Sequence, residues 1–203
     1  MIVDPREAGH LDVYKLLIGS IVPRPIAFVS TLSPLGVRNL APFSFFTAVS
    51  ANPPVICFSP AARQGAHRLK DTLFNIATTR EFVVNIVSEE FAGKMNICAA
   101  DFPPEVDEFE ASGLTPVQSD LVRPPRVAES HVQMECKLYL TIEVSELPGG
   151  GSLVLGEVLR FHVDDEYVDN FKIDPHKLRA IGRMGGNTYT RTTDRFDLVR
   201  PKV

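Results

Sequence analysis

The sequence contains no tryptophan, and only four of its 203 residues are tyrosine. Nucleic-acid platforms stack bases on such side chains, and a net charge of −4 supplies no basic footprint either. No nucleic-acid partner is therefore expected. Cysteine is scarce too. Cys57, Cys98 and Cys136 are scattered without a C-x-x-C pair, which argues against a disulfide framework or a zinc site and leaves them as reduced packing residues. The five histidines show no metal-ligand spacing. No apolar run approaches the roughly 20 residues a membrane helix needs. The N-terminal MIVDPREAGHLD has no signal-peptide apolar region, so a cytoplasmic protein without a membrane partner is expected. Also missing are a G-x-G-x-x-G after a strand, a Walker loop, a G-x-S-x-G elbow and a zinc-hydrolase motif. The lack of an obvious acid, base or nucleophile is consistent with a protein that leaves the chemistry to a cofactor.

What is present is a globular composition, 44% hydrophobic and 23% charged. At 203 residues the chain is compatible with one domain, 1–203, carrying a basic tail from about residue 174. Charge is unevenly spread. Residues 101–120 hold six acids and no Lys or Arg, whereas residues 176–203 hold seven Lys/Arg against Asp194 and Asp197. Two solvated faces explain this; so does a basic tail that meets an anion.

The stretch 22–47, VPRPIAFVSTLSPLGVRNLAPFSFFT, organises the chain. Two apolar runs flank Leu32-Ser33-Pro34-Leu35-Gly36, whose Pro and Gly are spaced for a tight reversal. The pattern reads as a β-hairpin. Pro42 lacks an N–H and cannot sit mid-sheet, so the chain is expected to leave the sheet after it, with Ser44 and several backbone N–H groups available to a ligand. Arg24 stands between two prolines and is restrained on both sides. Small hydroxyls, an Asn and stiff backbone beside aromatics suit a planar, polar-edged ligand; a well-made hairpin alone would also account for them.

Elsewhere, periodicity predicts helices over 10–18, 66–78, 89–99 and 105–112. Arg63, Arg68 and Lys70 crowd the start of the second, against the preference for acids there. Either an anion joins them or they lie in an exposed loop. Strands are predicted at 55–58 and 81–87. A long one spans 131–145, where Val132 to Val144 alternate without a break. Pro148-Gly-Gly-Gly151 turns it into a return strand, 153–163, with Leu153, Leu155, Leu159, Phe161 and Val163 on one face. Glu157 shares that parity and reads as a structural carboxylate needing a partner; Gly156 permits close backbone approach. Residues 114–126 form a proline-rich loop. Long alternating strands with a few helices predict an antiparallel barrel with helices packed on it, in one unit without repeats.

Several segments together carry a resemblance. Val22-Pro-Arg-Pro-Ile-Ala, Val29-Ser-Thr, Gly36, Asn39-Leu-Ala-Pro-Phe-Ser44 and Asn52-Pro-Pro come first. Lys70-Asp-Thr, Asn75-Ile, Glu81-Phe-Val-Val-Asn-Ile86, Asp107-Glu-Phe-Glu110, Glu129-Ser130, Glu135-Cys136 and Gly156-Glu-Val158 continue the series to about residue 170. In order and spacing the chain resembles the flavin reductase-like, FMN-binding split-barrel family. The nearest branch is that of NADH:FMN oxidoreductases and the reductase components of two-component monooxygenases. The resemblance implies a mainly β fold with helices, an antiparallel split β-barrel of Greek-key type. It implies FMN as cofactor and NAD(P)H as co-substrate, with hydride passing between them. A homodimer with flavin near the subunit interface is implied as well, with a monooxygenase or another electron acceptor as partner. The alternative is an FMN-binding electron carrier without steady NAD(P)H turnover.

The resemblance also assigns site residues. Phe28, where many relatives have Trp, and the segment Asn39, Ala41, Pro42, Phe43, Ser44 and Phe46 would form the wall of the flavin ring. Ser30, Thr31, Arg63, Lys70 and Thr72 would hold its phosphate, with Asp71 orienting a basic neighbour. Arg183 and Tyr189, around Gly185-Gly186, would close over the site. No metal is expected, and no catalytic residue is assigned.

Overall fold

A computed structural model describes residues 1–61 and 70–201. The chain opens with helix α1 (His10–Ser20), followed by strands β1 (Ala27–Leu32), β2 (Arg38–Phe43), β3 (Phe46–Ala51) and β4 (Pro54–Phe58). Helix α2 (Asp71–Thr79) leads into β5 (Glu81–Ile86). A 3-10 turn at Glu89–Phe91 runs into α3 (Ala92–Ile97), and α4 (Glu108–Ser112) follows. The short strands β6 (Pro116–Val117) and β7 (Arg126–Val127) pair across the proline-rich loop, ahead of the long β8 (Val132–Glu143) and β9 (Ser152–Val163). The C-terminal part holds the ribbon β10 (Val168–Asp169) and β11 (Lys172–Ile173), the turn-long α5 (Pro175–Leu178), and the ribbon β12 (Ile181–Arg183) and β13 (Tyr189–Arg191).

Seven strands form one antiparallel sheet in the order β2-β1-β5-β8-β9-β4-β3. Its two edges, β2 and β3, are consecutive in the chain and separated only by Ser44 and Phe45. Three Cα steps span at most about 11 Å. The sheet therefore curls until its edges meet at that point, with a seam the ladder does not close. This is the split β-barrel, and the chain crosses between β4 and β5 over the two intervening strands, as in a Greek key. Pro42 sits within β2, opposite Phe28, on an edge strand. There its missing N–H costs no ladder bond, so the strand runs through it to Phe43.

The barrel interior packs Val29, Phe43, Phe58, Phe82, Val84 and Val154 with Leu73 and Ile76 of α2. The rings of Phe43 and Phe58 lie 5.1 Å apart, and those of Phe58 and Phe82 5.6 Å apart. A Cβ on Gly156 would come within 2.2 Å of the Phe82 ring, so glycine there is a packing requirement. A second cluster lies outside the β1–β2 face, where Ile26, Phe28 and Leu40 meet Phe91, Met95 and Phe109.

Two expectations for the long strands are corrected. On β9 the buried residues are Ser152, Val154, Gly156 and Val158; Leu153, Leu155 and Glu157 are only partly covered. Glu157 pairs with Lys137 at 3.2 Å. Apolar character is a poor guide to the inward face, because a serine and a glycine take inward positions, the glycine where the Phe82 ring crosses the barrel. On β8, burial ends after Leu138, where the register slips. Tyr139, Leu140 and Ile142 are exposed. The predicted helix over 89–99 is split into the 3-10 turn and α3. That over 105–112 starts only at Glu108, where Asp107 caps Phe109 N at 2.9 Å, and ends at Gly113 with φ 67°. Of the helix expected over 66–78, Asp71–Thr79 is seen, and its first part lies outside the described residues.

Candidate functional site

The seam of the barrel opens into a cleft of about 740 Å³. Ile26, Pro42 and Ser44 come from the hairpin and its exit, Met95 and Asn96 from α3, and Ala99 and Ala100 from the turn after it. Arg183, Asn187 and Tyr189 come from the C-terminal ribbon, and Tyr14 from α1. Arg183 stacks on Tyr189, its guanidinium carbon 4.4 Å from the ring centroid, giving a flat cationic surface. Tyr189 reaches across to α3, its hydroxyl donating to Asn96 Oδ1 at 3.3 Å. A smaller cavity of about 320 Å³ lies beyond Tyr189, Met95 and Asn96, against Glu89 and Arg191. Arg191 and Arg179 pair with Glu89 and hold its carboxyl below its ordinary range.

Arg24 locks the cleft together from behind. Its backbone exchanges two hydrogen bonds with Arg183, at 2.9 and 2.8 Å. Its side chain, buried at 4% exposure, donates to Ile18 O at 2.6 Å and Ile21 O at 2.8 Å, at the end of α1. It also donates to Met184 O at 2.8 Å and to Ser44 Oγ at 3.3 Å. One side chain thus fixes α1, the seam and the C-terminal ribbon. The Pro-Arg-Pro motif marks this residue as restrained, and its partners Ser44 and Met184 come from distant parts of the chain.

The other expected site residues fall into three groups. Phe28 is fully buried in the second cluster, 6.4 Å from the Phe91 ring, and exposes no face to the cleft. Phe43 and, in part, Ala41 and Phe46 face the barrel interior. Of the residues expected to form the ring wall, Pro42 and Ser44 line the cleft, and β1 and β2 turn their large side chains into the two cores.

Ser30, Thr31, Asn39 and Thr72 are buried and satisfied internally. Ser30 donates to Pro125 O. Thr31 and Thr72 donate to Asn39 Oδ1 at 3.1 and 2.8 Å, and Asn75 Nδ2 donates to Thr31 Oγ1 at 3.0 Å. The hairpin and α2 do meet, as expected, but through a closed hydrogen-bond network rather than an open anion cradle. Glu108 completes it, accepting from Asn39 Nδ2 at 2.9 Å and Leu40 N at 3.1 Å. Burial pushes the Glu108 carboxyl up to about 7. Asp71 lies nearby, and with Glu108 and Asn39 it lines a separate cavity of about 350 Å³. Sequence reasoning missed Glu108 as a partner of Asn39; lying among Asp107 and Glu110 at the start of a short helix, it carried no local signal that set it apart.

Lys70 caps the start of α2 and pairs with Asp101 at 3.0 Å, next to the cleft-lining Ala99 and Ala100. Arg63 lies outside the described residues. The one His/acid trio close enough to share a cation among the described residues is Asp120, Glu135 and His162. Glu135 already accepts from Asp120 N, Leu121 N and His162 Nε2, and Arg160 sits 2.6 Å from Asp120. That trio pins the proline-rich loop to β8.

The fold and the cleft together define a flavin reductase-like protein. Residues 18–176 match the flavin reductase like domain, and the chain belongs to that family. An uncharacterized protein of Aquifex aeolicus is 47% identical over 187 residues, covering 92% of this chain and 93% of its own. Among solved structures, nitrilotriacetate monooxygenase component B from Bacillus cereus is 38% identical, with a TM-score of 0.92 over 98% of both chains. A Pseudomonas fluorescens 2-nitrobenzoate 2-nitroreductase is 34% identical, with a TM-score of 0.89 over 99% of this chain and 96% of that one. The C-terminal ribbon that carries Arg183 and Tyr189 lies beyond the matched family segment.

Proposed function

We propose that the protein is an NAD(P)H-dependent flavin reductase that holds FMN in the seam cleft and works as a homodimer. The observation that carries this is the meeting of Pro42 and Ser44 with Arg183 and Tyr189, four residues chosen from sequence, around one cleft. Its volume falls in the range of small-molecule and cofactor sites. Its lining suits a planar ring with a polar edge. Pro42, Met95, Ala99 and Ala100 offer apolar surface, while Ser44, Asn96, Asn187 and Arg183 offer polar atoms on its rim.

When bound, FMN supplies the hydride chemistry; the chain supplies binding, orientation and exclusion of water. Ser44 holds an acceptor on the ring edge. The Arg183–Tyr189 pair covers the site, and Tyr189 and Asn96, hydrogen-bonded to each other, line both it and the smaller cavity. Lys70, beside the cleft through Asp101, holds the phosphate, with Arg63 as a second cation. The Bacillus cereus relative named monooxygenase component B supports a monooxygenase as the acceptor of the reduced flavin. Exposed Tyr139, Leu140 and Ile142 on β8, with Leu11 and Leu17 on α1, support the dimer.

Titration of FMN into wild type and Tyr189→Ala, followed by quenching of flavin fluorescence, tests the placement. The Arg–aromatic wall is worth about 0.5–2 kcal/mol. Affinity should fall by about two- to thirty-fold. Equal affinity in the two proteins would place the ring elsewhere.

A further inference from the structure

Arg24 is a buried cation that has no counterion among the described residues. None of the ion pairs among the described residues includes it. Its hydrogen-bond acceptors are three backbone carbonyls and one hydroxyl, all neutral. Burial pulls its pKa down; nearby Tyr14 raises it, and Arg183 lowers it further. An arginine stays protonated even so. A buried charge is normally paired, and this one stands behind a cleft that already carries Arg183 on its wall.

The orientation of Ser44 follows. Its Oγ accepts from Arg24 Nε, so its own proton points elsewhere. Among the described residues no acceptor takes that proton, and Ser44 lines the cleft. The hydroxyl is therefore set as a donor into the cleft, polarised by the guanidinium behind it. Charge-assisted donors of this kind are the strong ones, and in a partly buried site their effect on an anion is larger than in water.

We propose that Arg24, acting through Ser44, makes the cleft bind the reduced, anionic form of the flavin more tightly than the oxidised, neutral form. This rests on the flavin reading above. The charge balance is simple. A neutral oxidised ring that accepts a hydride becomes a monoanion, and the reduced nicotinamide that gives it leaves with one more positive charge. A fixed positive charge and a directed donor favour the first product and leave the oxidised ring almost unaffected. Arg24 is thus a positioning residue that raises the midpoint potential of the bound flavin.

The test compares dissociation constants for oxidised FMN and for FMN reduced anaerobically with dithionite, in wild type, Arg24→Lys, Arg24→Gln and Ser44→Ala. Wild type should bind the reduced form more tightly. Arg24→Lys should keep that preference. Arg24→Gln and Ser44→Ala should each lose about tenfold of it, equivalent to a midpoint about 30 mV lower. Should Arg24→Gln not fold, since it also ties down α1 and the C-terminal ribbon, Ser44→Ala alone decides. Variants that bind FMN with the wild-type ratio overturn the inference and leave the flavin reading intact. A wild-type chain that binds neither form defeats that reading, and the inference with it.

Discussion

Glu108 shows how one side chain can couple the hairpin to the rest of the molecule. It accepts from the Asn39 side chain and the Leu40 backbone, three and two residues before Pro42. Its pKa is about 7 in the fold, against an ordinary carboxylate value when unfolded. The native state therefore holds a proton that the unfolded chain has released. Stability should be unaffected by this group below about pH 4.5, fall as pH rises through the interval up to about 7, and stay level above it. Glu108→Gln should flatten that fall in urea unfolding curves taken between pH 5 and 8; an unchanged pH slope would mean the carboxyl is not buried as described. Gly156 makes a sharper demand. An alanine methyl would overlap the Phe82 ring, so Gly156→Ala should cost about 1–3 kcal/mol, read as a lower urea midpoint. Neither role was open to full reading in the sequence. Gly156 was marked as a point of close approach, but the ring it faces lies over seventy residues away. Glu108 stands in an acidic segment and in the family-like run Asp107-Glu-Phe-Glu110, with nothing in the sequence to pair it with Asn39.

At the scale of elements, the hairpin, α2 and the long strands were legible because their signals are local: turn residues, helical spacing and strict alternation. What was not legible was which face each strand turns inward. On β9, alternation of large apolar residues pointed to Leu153 and Leu155, yet Val154, Gly156 and Val158 face the core. The opposing rings decide that, and they come from other strands. The same limit applies to Ser30, Thr31 and Thr72, expected at a phosphate: the acceptors of their hydroxyls lie on other elements. The anion site proposed here therefore leans on the start of α2. Lys70→Ala should weaken FMN about tenfold or more, as a lost charge-assisted hydrogen bond would. Riboflavin, lacking the phosphate, should be affected far less. Equal losses for both ligands, or none, would remove Lys70 from the phosphate site.

For the whole molecule, the barrel's two edges meet around Ser44, and the cleft sits at that seam. The order of the strands makes the seam unavoidable, since β2 and β3 are joined by two residues yet end opposite edges of the sheet. The apolar end of β8 and the outer face of α1 are exposed among the described residues. Light scattering should give twice the mass of one chain, and Ile142→Asp should shift the protein toward monomer; a wild-type monomer would contradict the dimer. The central claim, that this cleft reduces flavin with electrons from a nicotinamide, is tested most directly by the visible spectrum of the FMN-loaded protein on anaerobic addition of NADH, and separately of NADPH. The flavin band should bleach rapidly with at least one of them and return when air is admitted. A bound flavin that keeps its colour with both, yet bleaches with dithionite, would contradict the reductase and make the protein an electron carrier.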